Sequence, residues 1–126
     1  MLGDQDAQAT VPVKSLDRAR PFYEQTLGLE PLPVEQPGVQ AYRAGGSTVL
    51  VYESPFAGTN KATTVTWSLG ASFDAVVKGL QAKGVAFLHY DDMDGVTLEG
   101  DVHVAGDLKV AWFQDPDGNI ISIGNY

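Results

Sequence analysis

Near the end of the chain, Val110-Ala111-Trp112-Phe113-Gln114-Asp115-Pro116-Asp117-Gly118-Asn119-Ile120-Ile121-Ser122-Ile123 sets two apolar, partly alternating runs around Asp-Pro-Asp-Gly-Asn. That link supplies what a tight reversal needs: Pro116 presets φ, Asp117 can bond nearby backbone, and Gly118 accepts positive φ. The stretch reads as a β-hairpin, so the chain must contain antiparallel sheet. Forming the turn is reason enough for Asp115 and Asp117, and neither implies chemistry by itself.

A chain of 126 residues is long enough to bury a sizeable core and hardly long enough for two independent ones, so residues 1–126 read as one domain. The formal net charge of -8 would repel a phosphate backbone over most of the surface, which argues against nucleic acid as a partner. The absence of cysteine removes disulfides, thiolate zinc sites and thiol nucleophiles together. No apolar run approaches membrane-spanning length, and Met1 to Ala7 carries neither a basic region nor an apolar signal core. The expectation is a cytoplasmic protein with no membrane partner.

Gln8 to Lys14 has the β-branched content of a short strand, and Pro12 argues for an edge or bulged position. Ser15 is placed to cap a helix in which Leu16, Ala19, Phe22, Tyr23 and Leu27 recur at helical spacing, with Gly28 as the stop. Pro21 forfeits a backbone bond there, and the expectation is a loose or 3₁₀-like first turn. Leu29 to Val34 and Val39 to Ala44 read as strands, and Gly45-Gly46 is a two-residue turn into Thr48 to Tyr52. A loop from Glu53 to Lys61 marks the midpoint.

The second half repeats the order. Ala62 to Leu69 is a strand by alternation. Phe73, Val76, Val77 and Leu80 follow at i, i+3, i+4 and i+7 behind Ser72, and Gly84 ends the helix. Val85 to Tyr90 is a further strand, and the hairpin supplies the last two. Asp91 to Leu108 is rich in aspartate and glycine and reads as a connection, either a solvated loop, which we place first, or a lid; a weak strand within Val96 to Ala105 is counted with it or with the hairpin. Its Asp92-Met93-Asp94-Gly95 run has the wrong spacing for an EF-hand.

Two successive β-α-β-β-β units amount to a weak internal repeat. The segment from Val13 to Leu29, with its Phe22-Tyr23 pair and Leu27-Gly28-Leu29, together with Phe113-Gln114-Asp115-Pro116-Asp117-Gly118-Asn119, resembles the vicinal oxygen chelate superfamily. That group includes glyoxalase I, fosfomycin-modifying enzymes, extradiol dioxygenases and bleomycin-resistance proteins, and the resemblance runs from Gln8 to Ile123. It implies an α+β fold of two βαβββ modules, about 8–53 and 62–124, forming an open curved barrel with the cavity inside and a helix outside each sheet. It also implies a homodimer.

Metal-dependent relatives place ligands at up to four strand positions. The resemblance puts these on Gln8, Leu50, Thr64 and Ser122, where the family usually has His, Gln or Glu, then Glu, His and Glu. One amide, one alkyl chain and two hydroxyls would hold a divalent transition metal poorly, and leave no carboxylate for a glyoxalase-type base or a dioxygenase triad. The expectation is no metal and no cofactor. His89 and His103 lie outside these positions; a relocated site with Asp91 or Asp101 is the lesser reading beside hydrogen-bonded or exposed histidines.

By alternation, the face that would carry ligands also presents Thr10, Thr48, Tyr52, Thr66, Ser68 and Ile120. Relatives line their hydrophobic substrate pocket at positions matching Trp112 and Val110. The candidate binding residues are therefore Gln8, Thr10, Leu50, Tyr52, Thr64, Thr66, Val110, Trp112 and Ser122, suited to stacking on a small, partly aromatic molecule. Core filling is the competing role for Trp112 and the stronger one for Trp67; Tyr42 and Arg43 point to opposite faces, in an order the sequence leaves open. Three functions stay in view. First is a metal-free binder or sequestering protein. Second is an enzyme of lyase, isomerase or dioxygenase type, with an unorthodox metal site or acid/base chemistry through Tyr52, His89, His103 or Asp91. Third is an assembly protein with a relic pocket.

Overall fold

A computed structural model describes residues Met1 to Tyr126. Strands β1 (Ala9–Val13), β2 (Glu30–Leu32), β3 (Val39–Ala44) and β4 (Ser47–Glu53) form one sheet in the order β1-β4-β3-β2. Only the β1–β4 pair is parallel. Pro12 lies on this edge strand, where its missing donor disturbs the ladder least.

Helix α1 (Leu16–Arg20) is regular from its first residue, contrary to the expected loose start. The effect of Pro21 falls after it instead. The regular helix stops at Pro21, which has no N–H to give the Asp17 carbonyl, and a π-helical stretch, Pro21–Thr26, continues from it, in which Leu27 N–H reaches back to the Phe22 carbonyl at 2.9 Å. Ser15 stands at the N-cap but makes no side-chain cap bond; Glu53 Oε2 accepts from Leu16 N–H at 3.0 Å in its place. Gly28, at φ 74°, turns the chain out of the helix as read.

The second sheet contains β5 (Thr63–Ser68), β6 (Phe87–Leu88), β7 (Thr97–Glu99), β8 (Val102–Ala105), β9 (Leu108–Gln114) and β10 (Ile120–Gly124), in the order β5-β10-β9-β8-β7. Strand β6 takes the far end of the β9 edge that β8 occupies at the near end. Two readings are corrected. The segment read as connection, 91–108, carries two paired strands, β7 and β8, and only its first residues are loop. Expected strands 29–34 and 85–90 shorten to β2 and β6.

Helix α2 (Phe73–Ala82) buries Phe73, Val77 and Leu80 on its predicted stripe. Each sheet has one helix, and both helices lie on the same side. The core under α1 (Val11, Val13, Leu16, Tyr23, Val49, Val51) and the core under α2 (Phe113, Ile121, Ile123 and the α2 stripe) share Phe22, Leu27, Val65 and Trp67 at their boundary. With β1 lying against β5, the opposite faces of both sheets join into an open, curved trough.

The hairpin turn closes the seam between the sheets. Asp115 Oδ1 accepts from the Asp117 and Asn119 N–H groups at 2.9 Å each. Its Oδ2 accepts from the Tyr23 hydroxyl and from Asn119 Nδ2, both at 2.7 Å. Asn119 Nδ2 also donates to the Pro12 carbonyl on β1, and Asp117 accepts from Lys14 N–H and the Arg18 guanidinium. The two aspartates thus do more than shape a turn: they fasten the second sheet to β1 and α1.

Candidate ligand-binding site

Strand register decides which residues share the trough. Thr10 lies beside Leu50, Tyr52 faces Pro12 across the same ladder, and Arg43 faces Thr48. Tyr42 takes the other face, buried under α1 with its hydroxyl donating to Glu24 Oε2 at 2.9 Å; burial, then Glu24, raises its pKa. In the second sheet Thr66, Ser122 and Trp112 form one row across β5, β10 and β9, and Val110 sits beside Gly124 in the next.

The candidate residues thus fall into two groups on one concave surface, Thr10, Leu50 and Tyr52 on the first sheet and Thr66, Ser122, Trp112 and Val110 on the second. Two stand apart. Gln8 precedes β1 and is exposed, lining a surface pocket with Asp6, Gly46 and Thr48. Thr64 falls at a bulge, where the ladder passes from Thr63 opposite Ile120 to Val65 opposite Ile121.

The residues that the resemblance assigned to metal ligands offer few donors. Ser122 is buried, its hydroxyl 2.6 Å from that of Thr66, so the two partner one another; Leu50 has no donor, and Gln8 lies outside the row. No group of three or more His, Asp or Glu residues converges anywhere in the chain. Amide and hydroxyl oxygens alone are a poor set for a divalent transition metal.

Trp112 faces a more defined space. Beneath Met93 and Val96 lies a cavity of about 100 Å³, walled by Val110, Trp112, Leu108, Ala105 and His103. His103 is 3% exposed and meets Trp112 edge-on, with ring centroids 4.8 Å apart; Tyr90 approaches the same indole at 5.4 Å. His103 Nε2 accepts from Tyr90 N–H at 2.9 Å. Burial lowers the His103 pKa, partly opposed by the nearby Val110 backbone, and the ring is neutral at neutral pH. Its Nδ1 has no hydrogen-bond partner; the Val110 backbone lies close without the geometry of a bond.

Sequence reasoning placed His103 outside the binding residues because its strand was read as connection. A signal was present: Gly106-Asp107 is a two-residue turn between Val102-His103-Val104-Ala105 and the Leu108 strand. His89 is engaged separately, Nε2 lying 2.7 Å from Asp101 Oδ1, while Gln81 donates to Asp101 Oδ2. Those bonds, led by His89, lower the Asp101 pKa. Trp67 lines a second cavity, about 170 Å³, on the helix side with Leu27, Leu29, Val76 and Leu80, away from the trough.

Two sheets with their helices on one side and an open trough on the other define the class, a paired βαβββ fold of α+β type. The profile of the Glyoxalase/Bleomycin resistance protein/Dioxygenase superfamily matches residues 7–123, and the chain belongs to that family. The integron cassette protein HFX_CASS4 from the Halifax Harbour sewage outfall metagenome superposes with a TM-score of 0.70 at 17% identity, covering 98% of this chain and 99% of its own. A lactoylglutathione lyase from Agrobacterium tumefaciens gives 0.67 at 15% identity, covering 96% and 92%. The fosfomycin resistance protein FosX from Listeria monocytogenes gives 0.66 at 14%, covering 98% and 91%. At these identities the likeness speaks for fold alone. No curated protein sequence matches the chain significantly. No helix is long and apolar enough to cross a membrane.

Proposed function

We propose that this chain binds a small, partly aromatic molecule in its trough without a metal ion, with Trp112 as the main contact. The observation that carries this reading is the Trp112 wall: an indole set between an apolar cavity and the Thr66–Ser122 hydroxyl pair. Such a surface suits a flat, uncharged body fixed by few hydrogen bonds. The donor set at the family's metal positions favours a metal-free mode. Catalysis with His103 as a base draws less support, since Tyr90 N–H already occupies its Nε2 lone pair.

The test is calorimetric screening of small heteroaromatic molecules, with bleomycin, fosfomycin and lactoylglutathione included because the family description and relatives name them. Trp112→Ala is expected to weaken a confirmed ligand about tenfold or more, as for a buried aromatic anchor, and EDTA to change nothing. Chelator-sensitive binding, or a ligand indifferent to Trp112→Ala, would overturn the reading. We also propose a homodimer, by analogy with the family, in which a second copy covers the open trough. Native mass spectrometry should then read twice the 13.4 kDa chain mass, and the same spectra would reveal any stoichiometric metal.

A further inference from the structure

Gly124 ends strand β10, and its backbone does not call for glycine, because φ there is not positive. What the position provides is room: a Cβ at Gly124 would run into the ring of Tyr126. Glycine within a strand often marks such a close approach. Alternation puts Gly124 on the same face as Ser122, whose hydroxyl meets that of Thr66 in the trough, so the Tyr126 ring lies over the trough floor. Gly124 is buried beneath it, while Tyr126 is 55% exposed. The backbone that carries the ring is pinned. Gly70 N–H donates to the Tyr126 carbonyl at 3.3 Å, Leu69 N–H donates to the Gly124 carbonyl at 2.8 Å, and Asn125 exchanges hydrogen bonds with Lys109.

Trp112 stands opposite Ser122 and Val110 opposite Gly124, so Trp112 and Gly124 are diagonal neighbours, about 7–8 Å apart in such a ladder. His103 and Tyr90 meet the Trp112 ring from the β8 side, away from β10. On the β10 side, Ser122 and Gly124 are both small and keep the floor between Trp112 and Tyr126 low. We infer that Tyr126 is the second aromatic contact of the trough and sets the size of its ligand, a flat molecule of two fused rings that reaches Tyr126 while lying against Trp112. The inference rests on the binding function proposed above and adds a specificity-determining residue to it. A fused bicycle spans the diagonal, whereas a single ring touches one aromatic side chain at a time.

Phenol and 2-naphthol test this, because both are uncharged at neutral pH, each carries one hydroxyl, and only the second has two rings. Each is titrated into ¹⁵N-labelled protein while the Trp112 indole N–H and the Gly124 amide signals are followed. Both probes should shift Trp112, and 2-naphthol should also shift Gly124, under the Tyr126 ring. In Tyr126→Ala the affinity ratio of 2-naphthol to phenol should fall about two- to tenfold, the worth of one aromatic contact. Tyr126→Phe, which keeps the ring, should hold the ratio. Gly124→Ala sets a methyl group where the ring lies, so it should lower the ratio as Tyr126→Ala does, and the double variant should go no lower. Because Tyr126 is more than half exposed, Tyr126→Ala answers the question even if Gly124→Ala fails to fold. An unchanged ratio in Tyr126→Ala would overturn the role of Tyr126 and leave the Trp112 reading standing. If neither probe shifts Trp112, both fall together.

Discussion

Asp115 is the residue on which most of the local structure converges, because its two oxygens accept four hydrogen bonds, three of them from the turn and one from Tyr23. Replacing it with alanine leaves buried donors on Asn119 and Tyr23 unsatisfied, at about 1–3 kcal/mol for each such group. We expect Asp115→Ala to lose at least about 3 kcal/mol in urea unfolding, well above a typical surface substitution. His103 sets a pH dependence of known sign. Its folded pKa lies below the ordinary 6.5, so between the two values the unfolded chain binds more protons than the folded one. Its contribution is complete above about pH 6.5 and shrinks as pH falls toward the folded value. Stability measured at pH 7.5 and 5.5 should fall more for the wild type than for His103→Phe. Asp115 was legible as a turn former, but its bond to Tyr23 spans 92 positions of sequence and left no local trace.

At the scale of elements, the strands that alternate cleanly were readable, and the corrected ones had a physical reason to mislead. Strand β7 is only three residues long, and the turns beside β8, Gly100-Asp101 and Gly106-Asp107, are built from residues whose preference is for loops; pairing of β7 to β8 and of β8 to β9 overrides that local signal. Pro21 was read as loosening the first turn, whereas that turn is regular and Pro21 instead stands first in the π-helical stretch, a position that needs no N–H from it. The midpoint loop yields a prediction at this scale. Gly58 has φ 74°, and a Cβ there would run into the Asp117 carbonyl of the hairpin turn. Gly58→Ala should therefore cost about 2 kcal/mol or more, through strain and displacement of the turn, while Gly3→Ala, with open space around it, should be neutral. Thermal unfolding of the two variants checks this.

For the whole molecule, the two cores share Phe22, Leu27, Val65 and Trp67, and the hairpin turn is bonded to β1 and α1. Neither sheet can lose its packing without exposing part of the other's. Unfolding should then be one cooperative transition, with tryptophan fluorescence, which reports Trp67 at the boundary and Trp112 in the second sheet, coinciding with far-UV circular dichroism. An early far-UV change with fluorescence intact would show the first sheet melting alone. Burial of the Trp67 side chain between the cores also explains why it serves the seam and the helix-side cavity rather than the trough.

The sequence by itself determined the hairpin, the buried stripe of each helix and the repeated order of elements. These are properties of neighbours in the chain, where a period of two or of about 3.6 shows which side chains share a face. Only the tertiary structure decided that Tyr42 turns inward and Arg43 toward the trough, that Gln8 stands apart from the Thr66–Ser122–Trp112 row, and that His103 is buried beside Trp112 with a free nitrogen. Those facts depend on strand register and on contacts between distant segments, and a shift of one residue in register would reverse each face.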